Sequence, residues 1–182
     1  MSALKEVIKD VIKEPAVACI SSDNFKQGMS AVPGAVNIVT TGFGNTKAGF
    51  TATAVCSVSD NPPTLLVCLN RGASVHKTFC ESDSLVINTL DVSQDKLSNL
   101  FGGKAPMEDR FASAIWETLI TGAPVLTDAA VSFDCKITEV KSVATHDVFF
   151  CEVVGIKQKE QAGSLVYFQR GYHRLGKDNG NE

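Results

Sequence analysis

The feature of this sequence that most constrains its fold is a succession of short runs rich in β-branched residues, with few helical segments between them. These runs span residues 35–41, 49–59, 64–70, 84–90, 131–140, 148–158 and 164–168 and are bounded by Gly, Pro, Asp or Asn. Seven or so strands with so few helices cannot build a regular βαβ array. The pattern therefore predicts a mainly β fold, an antiparallel barrel with peripheral helices, in one domain of 182 residues.

The two ends of the chain are predicted to lie outside this barrel. Apolar residues from Leu4 to Ile12 recur at helical spacing, which predicts an amphipathic N-terminal helix within residues 1–20. A second helix is expected over residues 23–30. The apolar stripe of the first helix needs a partner surface and is expected to add to a dimer interface. The polar residues 176–182 are expected to form a frayed tail.

Two more helices are predicted between the strands. Ser74 can cap a short helix that reaches Cys80, and Asp91 can cap one that ends near residues 102–103. Residues 104–128 are expected to be irregular because Pro and Gly interrupt them.

Charge and hydropathy exclude several classes of protein. The formal net charge is −3 and no block of Lys and Arg is present, so a nucleic-acid partner is not expected. Charged residues interrupt the amino-terminal region, which excludes a secretory signal, and no apolar run has membrane-spanning length. We therefore expect a cytoplasmic protein that contacts neither nucleic acid nor membrane.

The six cysteines are scattered singly, without a Cys-x-x-Cys pair. Most of them lie inside apolar runs. In a reducing compartment this placement predicts small buried side chains and no metal or redox role.

The segment from Gly42 to Lys47 invites comparison with a dinucleotide-binding fingerprint. Its sixth position is Lys47 and not Gly, and a strand is predicted to follow where the fingerprint requires a helix. The glycines therefore favour a hairpin turn between two strands.

The strand predicted over residues 49–59 has two contrasting faces. Alternation places mostly hydroxyl side chains on one face and small apolar ones on the other: Thr51, Thr53, Val55, Ser57 and Ser59 against Ala52, Ala54, Cys56 and Val58. Such a row suits a flat heteroaromatic ligand, which needs close approach together with donors and acceptors along its edge. The same alternation also fits a half-exposed strand whose hydroxyl groups face water.

The loop from Asn70 to Ser74 joins a buried strand to a predicted helix and has the features of an anion site. Its small residues allow the backbone to approach a ligand, the helix start presents N–H groups, and Arg71 and Ser74 can add donors. The alternative is that Ser74 acts only as a helix cap.

The chain contains three histidines, His76, His146 and His173. None of them has another potential metal ligand nearby at the sequence spacing of a known metal site. No metal site is therefore predicted. The motifs of hydrolases, P-loop kinases and zinc proteases are absent from the sequence, so these classes lose their usual support.

Three segments together carry a family resemblance: residues 35–41 with 49–59, residues 145–153, and residues 167–168 with Tyr172 and His173. By their order and spacing, residues 25–175 resemble the short-chain flavin reductases and, within them, the reductase components of two-component aromatic monooxygenases that act on 4-hydroxyphenylacetate, phenol or chlorophenol. The resemblance implies the FMN-binding split barrel, an antiparallel Greek-key β-barrel, in a single flavin reductase-like domain over residues 1–182.

The resemblance also implies a flavin site for FAD or FMN. It would be formed by Thr51, Ala52, Thr53, Ala54, Val55, Ser57, Val58, Gly72, Ala73, Ser74, Phe101 and Gly102. The strand residues would line the isoalloxazine and ribityl groups, and residues 72–74 would hold the phosphate. Phe101-Gly102 matches a Phe-Ala-Gly stretch that reaches the cofactor in the family, although the Ala is missing here.

His146 matches a family histidine that lies near the nicotinamide in a Gly-Asp-His context. The segment Ala144-Thr145-His146 keeps the imidazole but lacks the carboxylate before it. By the same resemblance Tyr172 and His173 help to enclose the nicotinamide. NADH is favoured, and NADPH stays open because Arg170 and Arg174 could meet a 2′-phosphate.

The implied function is an NAD(P)H-dependent flavin reductase that passes a hydride from nicotinamide C4 to flavin N5. As a homodimer it would supply diffusible reduced flavin to a separate aromatic monooxygenase. Two alternatives stay open. One is an oxidase or flavin carrier of the same fold that does not use free NAD(P)H, and the other is an interaction module whose strand hydroxyls face water.

Overall fold

The computed structural model describes residues 19–176, in two compact units that divide between Val32 and Pro33. In the first unit, helix α1 (Ser22–Ser30) begins where Ser21 Oγ accepts a hydrogen bond of 3.1 Å from the backbone N–H of Asn24. The helix predicted over residues 23–30 is confirmed. The helix predicted within residues 1–20 and the tail after Gly176 lie outside the described residues, except that Cys19 and Ile20 are described and are not helical.

The second unit is built mainly of strands. In chain order the described strands are β1 (Gly34–Ala35), β2 (Asn37–Thr41), β3 (Ala48–Ala52), β4 (Val55–Asp60), β5 (Pro63–Asn70), β6 (Ser84–Thr89), β7 (Trp116–Thr118), β8 (Pro124–Leu126), β9 (Val131–Val143), β10 (His146–Gln158), β11 (Ser164–Phe168) and β12 (Gly171–Leu175). Seven of them form one antiparallel sheet in the order β3-β2-β6-β9-β10-β5-β4. The predicted mainly β, antiparallel fold is confirmed.

This sheet curls because its two outer strands, β3 and β4, follow one another in the chain. They are linked only by Thr53 and Ala54, a link that spans about 11 Å at most. The edges must therefore approach one another at this corner, although β3 and β4 do not pair with each other among the described residues. Strands β6, β9 and β10 are neighbours and β5 lies beside β10, which is a Greek-key arrangement.

The remaining elements of the second unit complete this barrel. Strands β1, β11 and β12 form a three-stranded sheet, and β7 pairs with β8. The described α-helices of this unit are α2 (His76–Cys80), α3 (Asp95–Gly102) and α4 (Met107–Ala112), and a short 3-10 helix spans Gly44–Thr46. Between β2 and β3, Gly42 and Gly44 adopt positive φ angles of 81° and 56°, as the predicted hairpin turn requires.

Three clusters of buried apolar side chains form the core of the second unit among the described residues, and two of them are large. In the first, Phe79 of α2 packs edge-on against Phe50 and Phe149, with ring centroids 5.1 and 6.3 Å apart. In the second, Phe101 of α3 packs edge-on against Phe111 at 5.4 Å. Burial of a Phe side chain contributes about 1.5–3 kcal/mol, so Phe101 anchors α3 on the barrel.

The structure corrects the strand predicted over residues 49–59. The backbone N–H of Val55 donates to the carbonyl of Thr53 at 3.0 Å, a tight turn that separates β3 from β4. The predicted alternation of faces from Thr51 to Ser59 is therefore wrong, because the period restarts after this turn.

The boundaries of three other segments also differ from the predictions. Residues 104–128 are not irregular, since α4 and the β7–β8 hairpin lie within them. The helix predicted after Ser74 begins at His76, and no side chain caps it. The helix predicted after Asp91 begins at Asp95, although Gln94 Oε1 accepts from the Asp91 N–H at 2.8 Å as a capping box would.

The prediction that the cysteines are buried is correct for Cys135 and Cys151 and wrong for Cys19, Cys56 and Cys80, which are exposed. Burial raises the pKa of Cys151 to about 12. Among residues 19–176 we find no helix that has the length and apolar character to cross a membrane.

Candidate active site

Two cavities border the corner where β3 ends and β4 begins. Their volumes are about 430 and about 340 Å³, and the larger is within the size range of small-molecule sites. Five residues line both cavities and are called here the shared wall: Thr51, Ala52, Thr53, Gly102 and Gly103. The wall thus combines the end of β3 with the end of α3.

The shared wall is held together by contacts between β3 and α3. Thr51 Oγ1 donates to the carbonyl of Ser98 at 2.7 Å, so this hydroxyl is already used within the protein. A Cβ added at Gly49 would lie 2.7 Å from Cε1 of Phe101, and only glycine allows the Phe101 ring to sit this close to the strand. The result is a surface of backbone and small side chains that a flat ligand can approach.

The buried side chain of Arg110, which sequence reasoning missed, supports the shared wall through hydrogen bonds to its backbone. Its guanidinium donates to the carbonyls of Phe101 at 2.9 Å, Gly103 at 2.8 Å and Ala105 at 2.9 Å. No carboxylate of residues 19–176 lies within salt-bridge distance of it. Arg110 therefore fixes the backbone just after α3, and it also lines the larger cavity. A single Arg in a segment that was predicted to be irregular gave no signal of this role.

The loop that was predicted to bind an anion forms part of the larger cavity through Ala73 and Ser74. Within the loop, Asn70 Oδ1 accepts from the N–H of Gly72 at 2.7 Å. The Arg71 guanidinium donates to the carbonyl of Ala144 and so holds the β9–β10 turn. Because α2 has only five residues and lacks a side-chain cap, the predicted capping by Ser74 is wrong, and Ser74 is left as a residue of the cavity.

His146 is the first residue of β10 and lies opposite Asn70 of β5. It is half-buried and lines the larger cavity, and its Nδ1 lies 2.9 Å from Oγ1 of Thr145. The next side chain in the strand, Asp147, bonds instead to His76. The histidine therefore faces the cavity with a hydroxyl partner and without the carboxylate that precedes it in the family pattern.

The smaller cavity is lined, beyond the shared wall, by Val36, Ser98, Asn99, Tyr167 and Tyr172. The hydroxyl of Tyr172 lies 2.9 Å from Ser98 Oγ and donates to Asn99 Oδ1 at 3.0 Å. Its ring packs edge-on against Tyr167 at 5.4 Å. These contacts fasten β12, a strand that sequence reasoning did not predict, to α3.

The cavities gather most of the predicted site residues. The larger one brings together Thr51, Ala52, Thr53, Ala54, Ala73, Ser74, Phe101, Gly102 and His146, and the smaller one adds Tyr172. Val55, Ser57, Val58, Gly72 and His173 line neither of them. The His173 ring packs against Phe168 at 5.7 Å.

Sequence reasoning also missed a cluster of three side chains from α2 and β10, next to the loop that precedes α2. Nε2 of His76 lies 2.7 Å from Oδ2 of Asp147 and 3.4 Å from Sγ of Cys80. The prediction that no histidine lies close to other potential metal ligands is therefore wrong for His76. The spacing of His76 and Cys80, four residues apart, was the available signal. Hydrogen bonds from Ser142 and His76 lower the pKa of Asp147, while burial and the nearby Asp147 carboxylate raise the pKa of Cys80.

Comparison with known proteins identifies the family. The sequence profile described as the flavin reductase like domain matches residues 29–176 of this chain. The chain belongs to the flavin reductase family. A family member named FMN reductase (NADH) RutF, from Enterobacter cloacae, is 58% identical over 151 residues, which cover 83% of this chain and 92% of that protein. A protein of the same name from Escherichia coli O1:K1 is 52% identical over 171 residues and covers 90% of each chain.

Solved structures of the family share the fold described above. A crystal structure of a putative flavin reductase from Haemophilus somnus is 47% identical, with a TM-score of 0.83 over 86% of this chain and 100% of its own. The flavin reductase PheA2 is 28% identical, with a TM-score of 0.77 over 87% of this chain and 100% of its own. The flavin reductase component of a bacterial two-component tryptophan halogenase, BorF, is 25% identical, with a TM-score of 0.80 over 86% of this chain and 99% of its own.

Proposed function

We propose that this flavin reductase uses NADH to reduce FMN and releases the reduced flavin to a separate monooxygenase. The observation that carries the proposal is the shared wall, a surface of small residues that borders two cavities at once. The choice of FMN and NADH is supported by relatives at 52–58% identity that are named for both. The choice of a separate partner is supported by BorF, whose name makes it one component of a two-component enzyme.

The residues present fit a flavin in the larger cavity. Its volume of about 430 Å³ suits a ligand of this class, and its lining combines backbone and methyl groups with polar side chains at Asn70, Ser74 and His146. The isoalloxazine ring would lie along the shared wall, where Ala52 and Gly102 leave room for close approach. Ser74, exposed at the loop, would donate to the phosphate.

The nicotinamide is proposed to approach the wall beside Tyr172 and His146. Bound flavin supplies the hydride acceptor at N5, and NADH supplies the hydride at C4. The protein's part is to hold the two rings in contact and to exclude water between them. His146, which has Thr145 as a fixed partner on Nδ1, orients the nicotinamide and stabilises charge without acting as an obligatory acid.

Release of the reduced flavin is supported by the exposure of the site. Thr53 and Ala54, at the corner of the barrel, are both exposed, so the cavity is open along one side. A ligand that keeps one face in water gains less from burial and dissociates faster. The predictions that the partner's substrate is aromatic and that the protein is a homodimer stay predictions.

The test is anaerobic stopped-flow absorbance of the purified protein with FMN or FAD, mixed with NADH or NADPH. We expect the oxidised flavin band to bleach fastest with FMN and NADH. Bound flavin that stays oxidised with both nucleotides would refute the reductase and favour an oxidase or carrier. Failure to bind either flavin would favour the interaction module. The transfer step is tested by adding a flavin-dependent monooxygenase behind a dialysis membrane, where product forms only if reduced flavin diffuses.

A further inference from the structure

The cluster of His76, Cys80 and Asp147 lies outside both cavities, where the proposed reaction does not use it. His76 and Cys80 occupy successive turns of α2, and Asp147 comes from the start of β10, so the cluster joins two elements that are distant in sequence. Asp147 is buried, His76 is half-buried and Cys80 is exposed. The cluster is therefore reachable from solvent on one side only.

The three donor atoms lie within about 4 Å of one another. Nε2 of His76 lies 2.7 Å from Asp147 Oδ2 and 3.4 Å from Cys80 Sγ, and Oδ2 and Sγ are 4.0 Å apart. In a Cys-His-Asp catalytic triad the thiol and the carboxylate contact different ring nitrogens. Here Asp147 contacts Nε2, and Sγ of Cys80 is also nearer to Nε2, at 3.4 Å, than to Nδ1, at 4.0 Å. The thiol and the carboxylate therefore do not take opposite ring nitrogens, and this arrangement suits ligands of one cation.

The distances are close to those of a tetrahedral zinc site. With Zn–N and Zn–O bonds of about 2.1 Å and a Zn–S bond of about 2.3 Å, ligand atoms are separated by about 3.4 Å for N and O and about 3.6 Å for pairs with sulfur. The observed separations of 2.7, 3.4 and 4.0 Å differ from these by no more than about 0.7 Å. Because Sγ lies beside the ring, 3.4 Å from Nε2 and 4.0 Å from Nδ1, binding also requires the exposed Cys80 side chain to rotate toward the Nε2 lone pair.

The carboxylate is also held as a metal ligand is held. Ser142 Oγ donates to Asp147 Oδ1 at 2.7 Å, which leaves Oδ2 directed at His76. Such outer hydrogen bonds orient ligating carboxylates in metal sites. The set of one nitrogen, one sulfur and one oxygen favours zinc over magnesium or calcium, which take oxygen ligands.

We propose that His76, Cys80 and Asp147 bind a zinc ion, with water in the fourth position. The ion would connect α2, which follows the loop that contains Ser74, to the first residues of strand β10, beside His146. A zinc ion here would stiffen the part of the larger cavity that these two residues form. The site does not depend on the proposed reaction, and its test does not use activity.

The test is zinc binding to the full-length, tag-free protein after chelator treatment, measured by competition with a chromophoric zinc chelator. We expect one zinc ion per chain, and an affinity that falls at least about 10- to 100-fold in Cys80→Ser and in Asp147→Asn. Cys19→Ser, which removes an exposed thiol elsewhere, is the matched control and should bind zinc like the unchanged protein. Circular dichroism shows whether each variant is folded.

Cobalt gives a second readout. Co²⁺ added to the chelator-treated protein should produce a thiolate-to-cobalt charge-transfer band that disappears in Cys80→Ser and persists in Cys19→Ser. Binding of less than one zinc ion per chain, or equal affinity in Cys80→Ser and the unchanged protein, would overturn the proposal. In that case the cluster is only a hydrogen-bonded His76–Asp147 pair.

Discussion

The hydroxyl of Tyr172 lies 2.9 Å from Oγ of Ser98, and this contact joins the last described strand to the helix that carries the shared wall. Asn99 accepts a second hydrogen bond from the same hydroxyl at 3.0 Å. The position of the Tyr172 ring in the smaller cavity therefore depends on its hydroxyl group as well as on its packing against Tyr167.

The substitution Tyr172→Phe tests this dependence. It removes hydrogen bonds that contribute about 1 kcal/mol each, while it keeps the ring. We expect the KM for NADH to rise about five-fold, because the ring loses its fixed position, and the Kd for FMN to change less than two-fold. Steady-state kinetics with NADH and a fluorescence titration with FMN measure the two effects. An unchanged KM would remove Tyr172 from the nucleotide site.

The substitution Ser74→Asp adds a negative charge where the phosphate of FMN is proposed to lie. Two charges about 4 Å apart in a solvent-exposed site repel by about 1 kcal/mol, so the Kd for FMN should rise about five-fold or more. The effect should shrink at high salt, because ions screen exposed charges. Ser93→Asp, which adds the same charge at a residue outside both cavities, is the control. Equal affinities in the two variants would contradict the assignment.

The substitution His146→Ala should slow hydride transfer or raise the KM for NADH while the protein stays folded. Loss of a positioning residue is expected to cost about ten-fold in the single-turnover rate, less than the about 100-fold or more that follows loss of a general acid. Anaerobic stopped-flow measurements at saturating FMN give this rate. His173→Ala is the matched variant, since His173 lines neither cavity, and unchanged kinetics there would also withdraw the prediction that His173 encloses the nicotinamide.

The substitution Arg110→Met should destabilise the protein more than any change at the cavity mouth. It leaves the carbonyls of Phe101, Gly103 and Ala105 without their donor, and hydrogen bonds to a charged group contribute about 1.5–3 kcal/mol. We expect the free energy of unfolding in urea to fall by about 3 kcal/mol or more. Arg110→Lys keeps the charge but has fewer donors. Its free energy of unfolding should therefore lie between those of the unchanged protein and Arg110→Met. A loss below about 1 kcal/mol would show that the carbonyls find other donors.

The ion pair between Asp91 and Lys159, 2.6 Å apart, predicts a dependence of stability on pH. Burial alone would raise the pKa of Asp91, but hydrogen bonds from Lys159 and the Val92 N–H outweigh it and lower the pKa below 3.8. A carboxylate with a lowered pKa in the folded state stabilises the protein above its unfolded pKa, and this contribution is lost as the pH falls through the folded pKa. Asp91→Asn should therefore be less stable than the unchanged protein at pH 7, and the difference should narrow toward pH 3. A difference that stays constant over this range would contradict the argument.

Much of the barrel could be predicted because β-branched runs bounded by turn residues have few other solutions. The runs at residues 64–70 and 84–90 became β5 and β6 almost unchanged, since both are continuous and mostly apolar. The break at Thr53 and Ala54 could not be predicted, because Thr favours a strand and Ala disfavours one only weakly. A long-range contact helps to hold it in place: the Cys68 N–H donates to the carbonyl of Ala54 at 3.1 Å.

Some residues of the candidate site could likewise be predicted from the sequence, and others could not. His146 could be placed in it because it lies at the junction of a loop and a strand, and Ser74 because it lies in the loop just before a helix. The resemblance also marked both positions. Arg110 and Asp147 could not be placed, because their partners lie far away in the chain or on the backbone. Asp147 and Cys80 are 67 residues apart, and only the pairing of β10 with β5 brings them together.

The shared wall also limits how mutations can change the ligand preference of this enzyme. Thr51, Ala52, Thr53, Gly102 and Gly103 each face two cavities, so a larger side chain at any of them narrows both. If one cavity holds flavin and the other admits nucleotide, a mutation in the shared wall that changes the binding of one ligand also changes the binding of the other. Selection for a new nucleotide is then expected to act first at Tyr172, and selection for a new flavin at Ser74, because each of them lines only one cavity.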